Sequence, residues 1–85
     1  MNIQLRFFAS VREALGTAQE SLAVPDDVTT IGQVRTYLLQ RGSPWAEVLA
    51  EHRVLRMAFN QQMSSADMAL AEGCEVAFFP PVTGG

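Results

Sequence analysis

The sequence predicts an α+β domain, a mixed β-sheet with one main helix packed on one face. Two observations lead there. Apolar residues alternate with polar ones near both ends of the chain, in residues 2–9 and 74–79, which is the period of half-buried strands. Between them, residues 31–41 repeat apolar residues at helical spacing instead. The predicted order is β-β-α-β-β with minor insertions and short extra helices. The two terminal strands are expected side by side in the centre of the sheet.

Each element has its own local reason. In residues 2–9, Ile3, Leu5 and Phe7 fall on one face and Asn2, Gln4, Arg6 and Phe8 on the other. Ser10-Val11-Arg12-Glu13 reads as a capping box opening one short helical turn, with Gly16 as its stop. Residues 18–24 alternate again through Leu22 and Val24, so the first two strands are expected to pair antiparallel. Pro25-Asp26-Asp27 breaks that strand, and Thr30-Ile31-Gly32-Gln33 offers a second cap signature. Ile31, Val34 and Leu38 mark the apolar side of the main helix. Gly32 reads as a small flaw there, costing roughly 0.5–1 kcal/mol against alanine.

Gly42-Ser43-Pro44 combines a helix-ending glycine, an N-cap serine and a first-turn proline. Trp45, Val48 and Leu49 then give a short second helix one apolar side. Residues 54–59 form the third strand, closed by the turn-prone Asn60. A weak extended piece surrounds Gln62-Met63, Glu72-Gly73 makes a turn, and residues 74–79 form the last strand.

Composition narrows the function. The chain has 85 residues, 48% of them hydrophobic, enough for one modest core and too many for disorder. Its single cysteine excludes a disulfide framework and any multi-cysteine zinc site within one chain. All six basic residues are arginine, and nine acidic residues bring the net charge to -3, which argues against generic nucleic-acid binding. No run approaches the ~18 apolar residues of a membrane span, and no signal peptide precedes the first strand. These features point to a cytoplasmic domain that works with partners and binds neither membrane nor nucleic acid.

The most informative segment follows Phe79. It reads Pro80-Pro81-Val82-Thr83-Gly84-Gly85. Pro-Pro ends a strand by removing backbone donors and favours an extended exit, so at roughly 3.1 Å per residue these positions reach about 20 Å. Gly84 and Gly85 lack side chains and suit threading through a narrow channel, where another active site can close on the terminal carboxylate. The chain therefore divides into a domain, residues 1–79, and a flexible C-terminal Gly-Gly tail, residues 80–85.

The run Glu75-Val76-Ala77-Phe78-Phe79-Pro80-Pro81-Val82-Thr83-Gly84-Gly85 resembles the C-terminus of the small, sulfur-carrier subunits of molybdopterin synthase. These are ubiquitin-like β-grasp proteins. Leu5-Arg6-Phe7-Phe8-Ala9, Val11-Arg12-Glu13 before a glycine, and Asn60-Gln61 agree with the same family. Gly-Gly alone is shared by all ubiquitin-like modifiers; Phe-Phe-Pro-Pro-Val-Thr-Gly-Gly narrows the resemblance to this branch.

The resemblance implies a β-grasp fold and a sulfur carrier in molybdenum cofactor biosynthesis, with no catalysis by the isolated chain. An adenylating enzyme related to ubiquitin activators would use ATP to convert the Gly85 carboxylate into an acyl-adenylate. A sulfur donor fed by a cysteine desulfurase would then leave a thiocarboxylate. The tail, Pro80 to Gly84, would enter the large synthase subunit, within an expected heterotetramer. There, sulfur would pass to cyclic pyranopterin monophosphate. The chain itself would bind no cofactor and no metal. Sulfur carriage for thiamine or tRNA thiolation uses the same glycine chemistry and is the alternative within the class. A non-covalent β-grasp interaction module is the alternative outside it.

Other candidates rank below the tail. If the helix covers Ile3, Leu5, Phe7, Val76 and Phe78, then Phe8 and Phe79 stand exposed on adjacent strands and form a contact patch, with Met63 beside them. The family's partner contact lies on this surface. Cys74 shares the parity of Val76 and Phe78 and reads as a small buried thiol, where the family usually has an acidic residue. His52, between Glu51 and Arg53, reads as solvated, and Asp26, Asp27, Glu47 and Glu51 read as a solvated acidic surface. The lack of lysine has a genomic reading, arginine-favouring codons. It also has a chemical one, an activated C-terminus kept away from nucleophilic amines.

Overall fold

A computed structural model of the protein describes residues 1–81. The elements in chain order are β1 (Asn2–Phe7), α1 (Ala9–Leu15), β2 (Gln19–Ala23), α2 (Ile31–Leu39), α3 (Trp45–Val48), β3 (Arg56–Phe59), β4 (Gln62–Ser64) and β5 (Glu75–Phe79). They build one five-stranded sheet in the order β2-β1-β5-β3-β4. The terminal strands β1 and β5 run parallel in its interior, with Leu5 opposite Val76 and Phe7 opposite Phe78. The other strand pairings are antiparallel, including the expected β1–β2 pair.

Alternation along β1 and β5 decides what lies inside. Ile3, Leu5, Phe7, Val76 and Phe78 are all buried on one side of the sheet. Val11 of α1, Ile31, Val34 and Leu38 of α2, and Leu49 complete the core. Phe7 stacks near Phe78 and meets the edge of Trp45, which ties α3 to the centre. Cys74 is buried in this cluster at the start of β5, as its parity predicts.

The ends of α2 follow the sequence closely. The Thr30 hydroxyl accepts from the Gln33 N–H at 3.2 Å, and the Gln33 side chain accepts from the Thr30 N–H at 3.2 Å, a full capping box. The helix stops at Leu39, short of the expected Arg41. Its last turn tightens, with the Gln40 and Arg41 N–H groups donating to the carbonyls of Tyr37 and Leu38.

Gly32 sits where a loop packs closely on the helix start. The segment after β4 lies against the helix start, so that the Gly32 N–H donates to Ala66 O at 2.8 Å. A Cβ at residue 32 would stand 3.1 Å from both that oxygen and the Ala66 Cβ. The Ile31 N–H donates to Met68 O in the same approach, so the first donors of α2 are satisfied by this loop.

Two expected caps are absent. Ser10 does not open α1: Phe8 occupies the N-cap in extended backbone, and no side chain caps the helix. The reason lies one residue earlier, where Ala9 takes a left-handed φ of 52° and turns the chain sharply off β1. The helix spans Ala9–Leu15, longer than the single turn expected, and closes on Gly16 in the left-handed conformation. At α3 the N-cap is Pro44, not Ser43; Pro44 already has right-handed helical backbone, and no side chain caps the helix. Ser43 bonds to the Glu47 carboxylate instead.

Candidate functional site

Among the described residues, no helix lies over the opposite side of the sheet. Register places Arg6 across from Ala77, Ala77 across from Ala58, Ala58 across from Met63, and Arg56 across from Phe79. Opposite residues in a ladder share a face, so these side chains all project from the open side. At its middle lie two alanines, only 8% and 3% exposed at Ala58 and Ala77, because larger neighbours lean over them. The result is a shallow socket of about 370 Å³, lined by Phe8, Ala58, Gln61, Met63, Glu75, Ala77 and Phe79.

Each wall of the socket has a local cause. Asn60 and Gln61 take φ of 48° and 69°, the left-handed pair that a two-residue hairpin requires, and this turn swings β4 back with Met63 on the open side. Asn60 also locks the hairpin to β5: its side-chain oxygen accepts from the Glu75 N–H at 2.9 Å, and its own N–H donates to Glu75 O at 2.9 Å. Met63 is 63% exposed and Phe8 39%, large apolar side chains left facing water.

Phe8 and Phe79 come together as the alternation predicts, though not by the expected route. Phe8 lies beyond β1, at the cap of α1, rather than on a strand. Its ring meets Phe79 edge-on at 6.3 Å between centroids. That contact leaves Phe79 half-buried instead of exposed. Sequence reasoning missed Ala58 and Ala77, since small residues carry no signal of being a floor. It also missed Arg6, whose guanidinium lies 5.5 Å from the Phe8 ring centroid and 3.6 Å from the Glu75 carboxylate.

The expected tail starts next to this site. Phe79 is the last residue of β5, and Pro80 and Pro81 follow it half-buried. Pro80 also borders a second groove with Ser10, Ala14, Val54 and Leu55. Val82, Thr83, Gly84 and Gly85, the rest of the expected tail, lie outside the described residues.

The remaining candidates stay apart from this face. His52 and the carboxylates of Asp26, Asp27, Glu47 and Glu51 are exposed. Among the described residues, no three His, Cys, Asp or Glu side chains are grouped to hold a metal ion, and no helix is long and apolar enough to cross a membrane.

A mixed five-stranded sheet with parallel terminal strands at its heart and a helix over one side is the ubiquitin-like β-grasp arrangement. The comparisons narrow the class. The ThiS family model matches residues 5–85. The chain is 40% identical over 83 residues to the molybdopterin synthase sulfur carrier subunit of Haemophilus influenzae, covering 98% of this chain and 99% of that one. It is 42% identical to the Escherichia coli protein of the same name, with the same coverage. Among solved structures, SAMP1 from Haloferax volcanii superposes with a TM-score of 0.76 at 25% identity over the whole of both chains. A chain from the complex of subunits 1 and 2 of the Helicobacter pylori molybdopterin-converting factor superposes at 0.65, with 22% identity and full coverage of both, a likeness of fold. The chain belongs to the ThiS family as a sulfur carrier subunit of the molybdopterin synthase kind, a non-catalytic component of molybdenum cofactor biosynthesis.

Proposed function

We propose that this carrier works through the carboxylate of Gly85. The observation that supports the reading most directly is adjacency: the last residue of β5, Phe79, forms part of the open face, and Pro80 starts the tail beside it. A large synthase subunit seated on Phe8, Met63 and Phe79 meets the tail at its root. Pro80 and Pro81 stiffen the exit, Val82 and Thr83 extend it, and Gly84 and Gly85 pass the narrowest part of the partner's channel.

The chemistry needs no general base on this chain. The Gly85 carboxylate attacks the α-phosphorus of ATP in a ubiquitin-activator-like enzyme, releasing pyrophosphate and making an acyl-adenylate. A donor persulfide, charged by a cysteine desulfurase, attacks the acyl carbon and displaces AMP. A second donor thiol then cleaves the acyl disulfide, leaving the thiocarboxylate on Gly85 and a disulfide on the donor. Sulfur spreads the negative charge, so the group is ionised near neutral pH and is a better nucleophile than the parent carboxylate. In the large subunit it donates sulfur to cyclic pyranopterin monophosphate, and carrier and large subunit assemble as a heterotetramer. Because activation consumes ATP, the cycle belongs in the cytoplasm. The carrier holds no cofactor of its own.

Intact mass tests this reading. After incubation with ATP, the activating enzyme and a sulfur source, the chain gains the oxygen-to-sulfur mass difference, and a chain lacking Gly85 does not. No mass change with competent enzymes rejects the carrier mechanism.

A further inference from the structure

The arginines of this fold differ in how well their donors are used. Arg41 gives the Glu20 carboxylate two hydrogen bonds, at 2.9 and 2.5 Å. Arg35 reaches three backbone carbonyls, those of Leu49, Ala50 and Arg53, at 2.7, 2.5 and 2.8 Å. Arg6 is under-used. Among the described residues its Nε–H is buried with no acceptor, and the carboxylate beside it, that of Glu75, stands at 3.6 Å, beyond hydrogen-bond length. The side chain lies over Phe8 and screens part of the ring.

Position makes this matter. Arg6 borders the alanine-floored socket, across the β1–β5 pairing from Ala77. The strand residues on the open face of β1, β3 and β5 include Arg6 and Arg56 against Glu75, a positive excess on a chain whose net charge is -3. A partner seated on Phe8, Met63 and Phe79 dries the surroundings of the guanidinium, where an unpaired donor costs more than it does in water. A planar fork of N–H donors is best met there by a carboxylate.

We propose that Arg6 is a specificity-determining residue of the docking face. On docking it lifts off the Phe8 ring and pairs with a carboxylate that the large synthase subunit presents at the socket rim, while an apolar side chain of that subunit settles over Ala58 and Ala77. The exposed face of Phe8 then joins the contact. The inference rests on the docking reading given above and names the chemistry of its partner.

The test measures binding of the full chain to the large subunit of the same organism's synthase, at low and high salt. Arg6→Gln weakens binding about tenfold and flattens its salt dependence, as loss of a desolvated charge pair does. Arg6→Lys keeps the salt dependence but recovers only part of the affinity, because an ammonium does not reproduce the fork. Arg6 is partly exposed, and unchanged melting temperatures establish that both variants fold. Binding that Arg6→Gln leaves within twofold, with the same salt slope, overturns the role of Arg6 alone. Failure of the unaltered chain to bind the large subunit at all overturns the docking reading itself.

Discussion

The two sides of the sheet are made from alternate residues of the same strands, yet they end in opposite states. On one side Ile3, Leu5, Phe7, Val76 and Phe78 are sealed beneath the helices. On the other, one residue out of phase, Arg6, Ala58, Met63, Ala77 and Phe79 meet no helix, and Phe8 folds in from the α1 cap to join them. The chain has spent its apolar helix faces on the first side. The second side keeps large apolar groups facing water and a small-residue floor between them, the pattern of a surface completed by another molecule. In the docking reading proposed above, the covered side holds the fold together and the open side is left for the partner.

Adjacent phenylalanines separate the two roles most sharply. Phe78 is fully buried, so Phe78→Ala is expected to cost about 3–5 kcal/mol of stability, read by chemical unfolding. Phe79 is half-buried against Phe8, and Phe79→Ala is expected to cost only about 1 kcal/mol, chiefly the aromatic pair. Binding to the large subunit reverses the ranking, with Phe79→Ala losing tenfold or more. Equal stability losses at the two positions would erase the distinction between the faces.

A second contrast lies between loops that are held and loops that are free. The turn from α3 to β3 has little apolar packing at its tip, where Val54 is 73% exposed, but Arg35 of α2 binds three of its carbonyls. Desolvation at this position holds the Arg35 pKa below the usual arginine value, the cost of lodging the charge there. Arg35→Met leaves those carbonyls without their donor and is expected to cost about 2 kcal/mol. Faster amide exchange at Arg53, whose N–H donates to Ala50 O, would report the loosened turn. Arg35→Lys rescues little, since one ammonium cannot span the three acceptors. A melting temperature unchanged in Arg35→Met would show that the turn holds itself.

What the sequence made legible, and what it hid, follows from the range of the signals. Strand and helix order, the Thr30 cap and the Gly16 stop came from periodicity or capping within a few residues. The side-by-side terminal strands came from the usual topology of such a sheet; their parallel direction is what the structure adds. Ser10 misled because its cap signature is local, while the left-handed φ of Ala9, which starts α1 two residues early, belongs to the way the chain leaves β1. Ala58 and Ala77 became a floor only through cross-strand register, which no single segment encodes. Gly32 is the clearest case. By propensity alone Gly32→Ala should stabilise the helix by roughly 0.5–1 kcal/mol. A Cβ placed 3.1 Å from Ala66 O forces the loop outward and lengthens the bond from the Gly32 N–H, so the substitution is expected to cost about 1 kcal/mol instead. A more stable Gly32→Ala protein would mean that the loop yields freely.

The smallest expected effect probes how the sheet's outer strand is tied to the helical layer. Glu20 of β2 pairs with Arg41, which also lies 4.4 Å over the ring of Trp45. The hydrogen bond from Arg41 lowers the Glu20 pKa, and the same bond raises that of Arg41. A carboxyl with a folded-state pKa below its unfolded one contributes its stability above the unfolded value and loses it as pH falls through the folded value. The pair is partly exposed and screened, so at neutral pH Glu20→Gln is expected to cost less than about 1 kcal/mol. Below the usual glutamate range the unaltered chain also becomes neutral at this position, and the two melting temperatures converge. A gap that persists undiminished into acid would assign the effect to side-chain packing rather than to the ion pair.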